Sequence, residues 1–257
     1  MINKQRMVVG LFAASLMQAI AAEEISFDRP GTGFGVTTAP VGVLIWEQAL
    51  PSASYHETFE NGSTTRDLTL KSDVLLRTGL AKNLELQLSW DGMVWQQQRR
   101  NGQSTDQHGL GDVGIGLKKH IELDDERVQW ALLAQAQFNT GEAAFRDEHD
   151  RFGLGSVFEY QMHPELALSM YTLYEIDDAG HLAATVVPTM QYAIQGAWSG
   201  FSEYLFRKQE GLQSEGSLNT GIMYRVNPRA QLDASVGFGL KGEVPDYTAG
   251  LGLSMAF

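Results

Sequence analysis

The chain has 257 residues, 43% of them hydrophobic, and carries 31 Asp and Glu against 19 Lys and Arg, a formal charge of −12 at neutral pH. This acidity argues against nucleic acid as a partner, because phosphates need a basic footprint. The absence of cysteine excludes disulfides and thiolate metal sites, while 27 glycines beside only 7 prolines suit strands joined by tight turns within one large domain.

At the start, Lys4 and Arg6 precede an apolar run from Met7 to about Met17, and Ala19-Ile20-Ala21 places small residues two apart. These are the parts of a secretory signal, with cleavage expected after Ala21 or the neighbouring Ala22. The run is too short to span a bilayer, which takes roughly 20 apolar residues, so a retained anchor is the weaker reading. Three units are expected: a signal peptide over 1–21, a periplasmic N-terminal segment over 22–40, and a barrel over 41–257. The Gly-, Thr- and Pro-rich stretch from Glu23 to Pro40 either tucks into the barrel lumen as a partial plug or stays in the periplasm.

From there the chain alternates. Side chains on a strand point to opposite faces in turn, so a period of two in hydrophobicity predicts a strand with one apolar face. Leu68, Leu70, Val74 and Leu76 oppose Thr69, Lys71, Asp73 and Arg77. Leu84, Leu86, Leu88 and Trp90 oppose Glu85, Gln87, Ser89 and Asp91, and Val113, Ile115 and Leu117 oppose Asp112, Gly114, Gly116 and Lys118. The same pattern returns with Trp130 to Phe138 against Arg127, Gln129, Gln135 and Gln137, and with Phe152, Leu154, Phe158 and Tyr160 against Arg151, Gly153 and Glu159. It continues over 166–175, over 218–225 with Arg225 on the polar face, and over 230–240 with Asp233 on the polar face. In the last strand Tyr247, Ala249, Leu251, Leu253, Met255 and Phe257 oppose Thr248, Gly250, Gly252, Ser254 and Ala256. Weaker segments at about 41–52, 181–193 and 197–208 complete a set of twelve. Pro188 predicts a bulge or break in the second of these, since proline removes a ladder hydrogen bond.

The connections alternate in length. Short turns are expected at 81–83, 124–125, 163–164, 195–196 and 227–228, and longer polar loops at 57–66, 97–109, 140–150, 177–180, 209–216 and 241–246. Both termini then lie on the short-turn side, the asymmetry of outer-membrane barrels. Trp130, Tyr160, Tyr192, Trp198, Tyr224 and Phe257 fall at the short-turn ends, and Phe138 and Tyr247 at the long-loop ends, which predicts two lipid-facing aromatic girdles. No run of 18 apolar residues follows the N-terminal segment, so helical membrane spans are excluded.

A soluble sandwich is the rival fold. It would need edge strands with charge or proline on them, and none of the segments reads so. Its core would also have to hold Lys71, Asp73, Arg77, Glu85, Asp91, Asp112, Lys118, Arg127, Glu159, Arg225 and Asp233, although buried charges need partners or water. The prediction is therefore an all-β, transmembrane, antiparallel up-and-down barrel of about twelve strands, with those charges lining the lumen. They serve either as selectivity rings or as salt bridges that fill and rigidify the interior.

Asp28-Arg29-Pro30-Gly31, the stretch Leu75–Leu86 with Arg77-Thr78-Gly79-Leu80-Ala81-Lys82-Asn83, the stretch Gly109–Lys118, and Phe138-Asn139-Thr140-Gly141 are all strand-and-turn patterns. Together, over residue 28 to the end, they resemble the MetA-pathway phenol-degradation family of outer-membrane proteins, in which proline usually stands at the position of Asn139. The resemblance implies an outer-membrane barrel that admits small molecules, without fixing a phenolic substrate. The terminal Phe257, with hydrophobic residues at alternate positions before it, resembles the signal read by the barrel-assembly machinery.

No motif points to catalysis or to a cofactor. His56, His108, His120, His149, His163 and His181 are scattered, and none pairs at helical zinc spacing. Nothing sets a histidine beside a serine, as nucleophilic catalysis requires. Asp147-Glu148-His149-Asp150 lacks the ligand spacing of a calcium loop, and Gly109–Gly114 is followed by no helix that would make it a phosphate loop. The sequence thus leads to a passive channel in outer-membrane lipid for small, aromatic or apolar solutes. Its rivals are a structural or adhesive barrel with a self-closed lumen and an outer-membrane lipid-modifying enzyme.

Overall fold

The computed structural model describes residues 25–60 and 62–257; the signal peptide expected over 1–21 lies outside them. Fifteen segments form one antiparallel sheet: β1 (Leu44–Glu60), β2 (Ser63–Lys71), β3 (Val74–Ala81), β4 (Leu84–Trp90), β5 (Met93–Arg100), β6 (Gln103–Leu110), β7 (Val113–Ile121), β8 (Val128–Phe138), β9 (Arg151–His163), β10 (Leu166–Asp177), β11 (Leu182–Gln195), β12 (Trp198–Gln209), β13 (Glu215–Asn227), β14 (Ala230–Lys241) and β15 (Tyr247–Ala256). Each strand from β7 to β15 pairs with the next, β7 pairs with β4, β4 with β3 and β3 with β1, and β15 closes back on β1. The closing register aligns Trp46 with Met255 and Ala53 with Ala249. Closure leaves no strand edge in hydrocarbon, where an unpaired backbone amide costs several kcal/mol.

The barrel has twelve strands because three pairs of segments are single strands interrupted at one level. The breaks fall at Ser72-Asp73, Asp91-Gly92 and Gly111-Asp112, and β1 shifts register between Ala49 and Ser52 at the same height. Backbone bonds cross these breaks from Ala49 to Asp73, from Ser72 to Met93, from Asp91 to Asp112 and from Gly111 to Gly92, so they form one seam through four neighbouring strands. Gly92 turns there with φ of 75°, and a Cβ on it would meet the Ser72 carbonyl oxygen at 2.0 Å. Above the seam β2, β5, β6 and the far half of β1 continue as a four-stranded extension.

The extension corrects the loops expected at 57–66 and 97–109, which are hairpins with tips at Gly62 and Asn101-Gly102. It also corrects the expectation of no edge strand, since β6 pairs only with β5. Polar residues on both faces, as in Gln103-Ser104-Thr105-Asp106-Gln107-His108, hide the period of two. The free edge of β6 places the extension above the bilayer, where water satisfies it.

Below the seam the outer face is the apolar one. Leu88 lies between Leu76 and Ile115, and Leu88, Ile115, Leu132, Leu154, Phe158, Leu218, Phe238 and Leu251 are all exposed. Of the expected girdle aromatics, Tyr160, Trp198, Tyr224, Tyr247 and Phe257 are exposed. Trp198 lies tilted against Tyr224 with ring centroids 4.7 Å apart, Tyr247 meets Phe238 edge-on, and Trp130 donates to the Ser156 hydroxyl. Such a band is stable only in lipid, and the protein is an outer-membrane barrel. Pro188 stands on the outward face of β11 opposite Met170, and the ladder to β12 has no pair at Val187 or Pro188, the break expected there, with the register unchanged across it. The bulge of this strand lies farther along, between Ala193 and Gln195.

Candidate functional site

The lumen is occupied. Ile25–Pro40 runs through it as an irregular segment, and the wall is shaped to receive it. On the inward face of β15, a Cβ on Gly252 would fall 2.5 Å from the Arg29 guanidinium and from both Asp233 oxygens; on β9, one on Gly155 would fall 2.8 Å from Phe34. The small inward residues thus hold open the volume that the segment fills.

One side of the lumen binds the segment through charge. Arg77 grips Glu85 with two hydrogen bonds, Nε to Oε1 at 2.9 Å and Nη2 to Oε2 at 3.0 Å, and donates Nη1 to Glu47 at 2.8 Å. From the segment, Asp28 lies 3.4 Å from Arg77 and 3.2 Å from Lys118, which also reaches Glu85 at 3.3 Å. Glu47 in turn accepts the backbone N–H groups of Asp28 and Arg29, at 3.0 and 2.8 Å. Arg77, Lys118, Glu47 and Glu85 are wholly buried, so this is a paired network in which nearly every charge has two opposite neighbours. Arg29 reaches the other way, to Asp73 at 3.0 Å and Asp233 at 3.4 Å. Thr32 bonds Glu203 through its N–H and its hydroxyl, the His120 ring nitrogen lies 2.9 Å from the Val36 carbonyl, and Arg225 donates to the Ile25 carbonyl while covering the Phe27 ring.

The other side is apolar. Phe34 and Val36 pack against Ala131, Leu133, Val157, Tyr171, Leu173 and Val187 from β8 to β11, with Phe34 edge-on to Tyr171 at 5.4 Å. Cavities lie on both sides of the segment. One of about 280 Å³ faces the long-loop side, between Asp28, Arg29, Phe34, Leu75, Leu133, Gln135 and Tyr171. Another of about 240 Å³ faces the short-turn side, among Gln129, Glu159, Gln191, Ser199 and Arg225. A third, of about 360 Å³, lies by Thr32, Glu203, Arg207 and Asn219. Residues Pro30 to Phe34 separate them.

The expected lumen residues divide by height. Arg77, Glu85 and Lys118 meet with Asp28 of the segment, and Asp233 and the seam residue Asp73 meet with Arg29. Glu159 and Arg225 line the short-turn cavity. Lys71 and Asp91 pair at 3.5 Å at the seam. Asp112 is buried there and accepts N–H bonds from Gly141 and Asp147, so it holds the outer loop over 139–150. Arg127 departs from expectation. It lies in the turn before β8, exposed, on Asp125 at 2.9 Å and over the Tyr160 ring, because the strand begins only at Val128. There its guanidinium holds the Asp125 carboxyl below the usual carboxylate range.

Gln87 and Gln231, expected on the polar faces, do lie inside the barrel, whereas Glu47 and Glu203 were not foreseen, nor were Asp28 and Arg29 as lumen residues. Glu47 lies between inward Ile45 and Ala49, and Glu203 between inward Phe201 and Leu205. Apolar neighbours on the inner face blur the alternation there, and a single charge inside an otherwise apolar strand was the available signal.

The family model described as "Putative MetA-pathway of phenol degradation" matches residues 27–257. No curated protein matches the sequence. Among solved structures, the COG4313 outer membrane channel from Pseudomonas putida F1 aligns with a TM-score of 0.68 at 13% identity, over 89% of this chain and 99% of that one. KdgM porin in complex with disordered oligogalacturonate aligns with a TM-score of 0.56 at 8% identity, over 84% of this chain and 99% of that one. The translocator domain of autotransporter NalP from Neisseria meningitidis gives 0.54 at 10% identity, over 90% of each chain. At these identities the likeness is one of fold. With the family match spanning nearly all of the described residues, this outer-membrane barrel belongs to the MetA-pathway phenol-degradation family.

Proposed function

We propose that the barrel is a passive channel for small solutes, with neutral aromatic or apolar molecules as its best-matched cargo, and that the segment Ile25–Pro40 is its plug. The observation that carries this reading is the two-sided cavity at the segment. Phe34, Tyr171 and Leu133 offer an apolar wall, while Gln135, Gln137 and Arg29 face it with hydrogen-bonding groups. Such a lining suits a ring with one polar substituent. Inward carboxylates outnumber inward cations, which disfavours anions. The channel and the porin among the fold neighbours support transport over an enzyme. In this reading residues 1–21 direct export, the charged inner residues pair to hold the plug, and the strand ending in Phe257 engages the barrel-assembly machinery.

The test is purified barrel in liposomes, with uptake measured for phenol, benzoate, a fatty acid and a neutral sugar. Phenol entry above that of benzoate and sugar is expected. Uptake and conductance equal to empty liposomes would replace the channel by a self-closed structural barrel, and lipid hydrolysis in the same vesicles would replace it by an enzyme.

A further inference from the structure

Two outer connections meet away from the lumen network. The loop over 139–150 brings His149, and the turn after β10 brings Asp177, Asp178 and His181. The two imidazole rings lie 6.1 Å apart, and one donor atom from each of His149, Asp177 and His181 lies within 4.8 Å of the other two. From this geometry we infer that His149, His181 and Asp177 form a site for a divalent transition metal ion, of which zinc is the type, clamping the two connections together.

The donor set selects the metal. Two imidazoles and one carboxylate, with no thiolate anywhere in the chain, suit zinc, nickel or copper, whereas calcium and magnesium favour all-oxygen shells. An ion about 2.0–2.2 Å from each ligand needs the two partly exposed imidazoles to rotate toward the more covered Asp177 carboxylate to draw these donors together. Nδ1 of His181 faces Asp177 itself at 2.9 Å, which leaves its Nε2 for the ion, and the partner of the His149 ring also fits. Nδ1 of His149 lies 2.6 Å from an Asp178 oxygen. A carboxylate only accepts, so Nδ1 carries the proton and Nε2 keeps the lone pair a metal requires, the usual carboxylate–histidine arrangement around zinc.

The frame is set before any ion arrives. The Asp178 N–H donates to the Asp150 carbonyl, joining the two connections. Asp150 in turn accepts the Asn139 N–H, and buried Asp112 anchors Gly141 and Asp147 of the same loop. The turn is tightened by the His181 N–H on Asp177. The site is thus built from sequence positions about 30 apart, held at one height by the pairing of β9 with β10.

The experiment uses the full chain refolded in detergent, stripped with chelator and titrated calorimetrically with zinc, with cobalt as a spectroscopic substitute. One saturable site per chain is expected, with a cobalt visible spectrum of nitrogen and oxygen ligation, and zinc should slow proteolysis within 139–150. The double variant H149A/H181A should lose site and protection, D177N should weaken binding at least tenfold, and D178N should weaken it about tenfold through the His149 ring. Heat-modifiable gel mobility verifies that each variant is folded. Equal zinc binding by wild type and the double variant, or saturable binding of calcium but not zinc, would overturn the assignment.

Discussion

Asp28 of the enclosed segment and Arg77 of the wall lie 3.4 Å apart at the centre of the barrel, and Lys118 shares the same carboxylate. Without Asp28 the network keeps two cations and the two wall carboxylates Glu47 and Glu85, so the wall is balanced in charge without the segment. The segment's hold on this side is therefore separable from folding of the wall. Deleting residues 25–36 should raise single-channel conductance in planar bilayers, and D28N should produce openings of the same size at lower frequency. A deletion variant that folds normally yet conducts as wild type would refute the plug.

Arg77 is a different case, because it faces Asp28, Glu47 and Glu85 at once. R77A leaves three carboxylates and one lysine in a buried site. Breaking a buried ion pair from one side costs about 3–5 kcal/mol, and a loss of that size is expected in urea unfolding of the barrel. The double variant R77A/E85Q should recover part of it, since it removes one of the orphaned charges. A cycle showing no such recovery would mean that the two residues act independently.

Fold, strand number and sidedness were legible in the sequence because lipid imposes a strict demand. Each spanning strand must show an apolar face at every second residue, and β14 and β15 do so over ten or more positions. The extension above the seam was not legible, because strands such as β6 with water on both faces carry no such demand. The lumen was legible only where the inner face is polar. Lys118 and Asp233 stand out against apolar partners, whereas Tyr171, Leu173 and Val187 face inward among outward hydrophobics. The apolar side of the channel therefore left no periodic trace. Nor could alternation show that Asp28 and Arg29 would complete the wall's ion pairs, since that depends on a segment with no repeat of its own.

The register that separates lipid from lumen can be tested by a pair of arginines. Leu88 faces lipid between Leu76 and Ile115, and Gln137 faces the cavity beside the segment. Near the middle of the band L88R should cost ~2–4 kcal/mol, while Q137R, which can hydrate, should cost well under half as much. Folding free energies from urea titrations in lipid vesicles give the comparison, and equal losses would show the register to be wrong.

In the metal-free protein, the Asp177 hydrogen bond raises the His181 pKa above its ordinary 6.5, with the Asp177 and Glu210 charges adding and burial opposing. A raised folded value means that the protonated ring steadies the turn. That contribution is fully present below pH 6.5 and is lost as pH rises through the raised value. D177N should therefore return the His181 titration, followed by NMR, toward the ordinary histidine value. A His181 titration unmoved by D177N would assign the shift to other groups.

Charge inside the lumen should appear as ion selectivity. Along the path from the short-turn cavity to the outer ones, Glu159, Glu203 and Asp233 stand beside Arg225 and Arg29. Among the described residues no arginine or lysine lies within ion-pair reach of Glu203, which is satisfied instead by Thr32 and Asn219. A carboxylate bonded only to neutral donors keeps its field, and in a narrow low-dielectric passage that field attracts cations and repels anions. The reversal potential in a potassium chloride gradient should accordingly show cation preference. E203Q preserves the shape and one acceptor oxygen for Thr32 and Asn219 while removing the charge, so it should shift the reversal potential toward zero with little change in conductance. The same substitution should raise benzoate uptake relative to phenol, because only the anion feels the lost repulsion. Anion preference in the wild type, or a reversal potential indifferent to E203Q, would place the ion path away from Glu203.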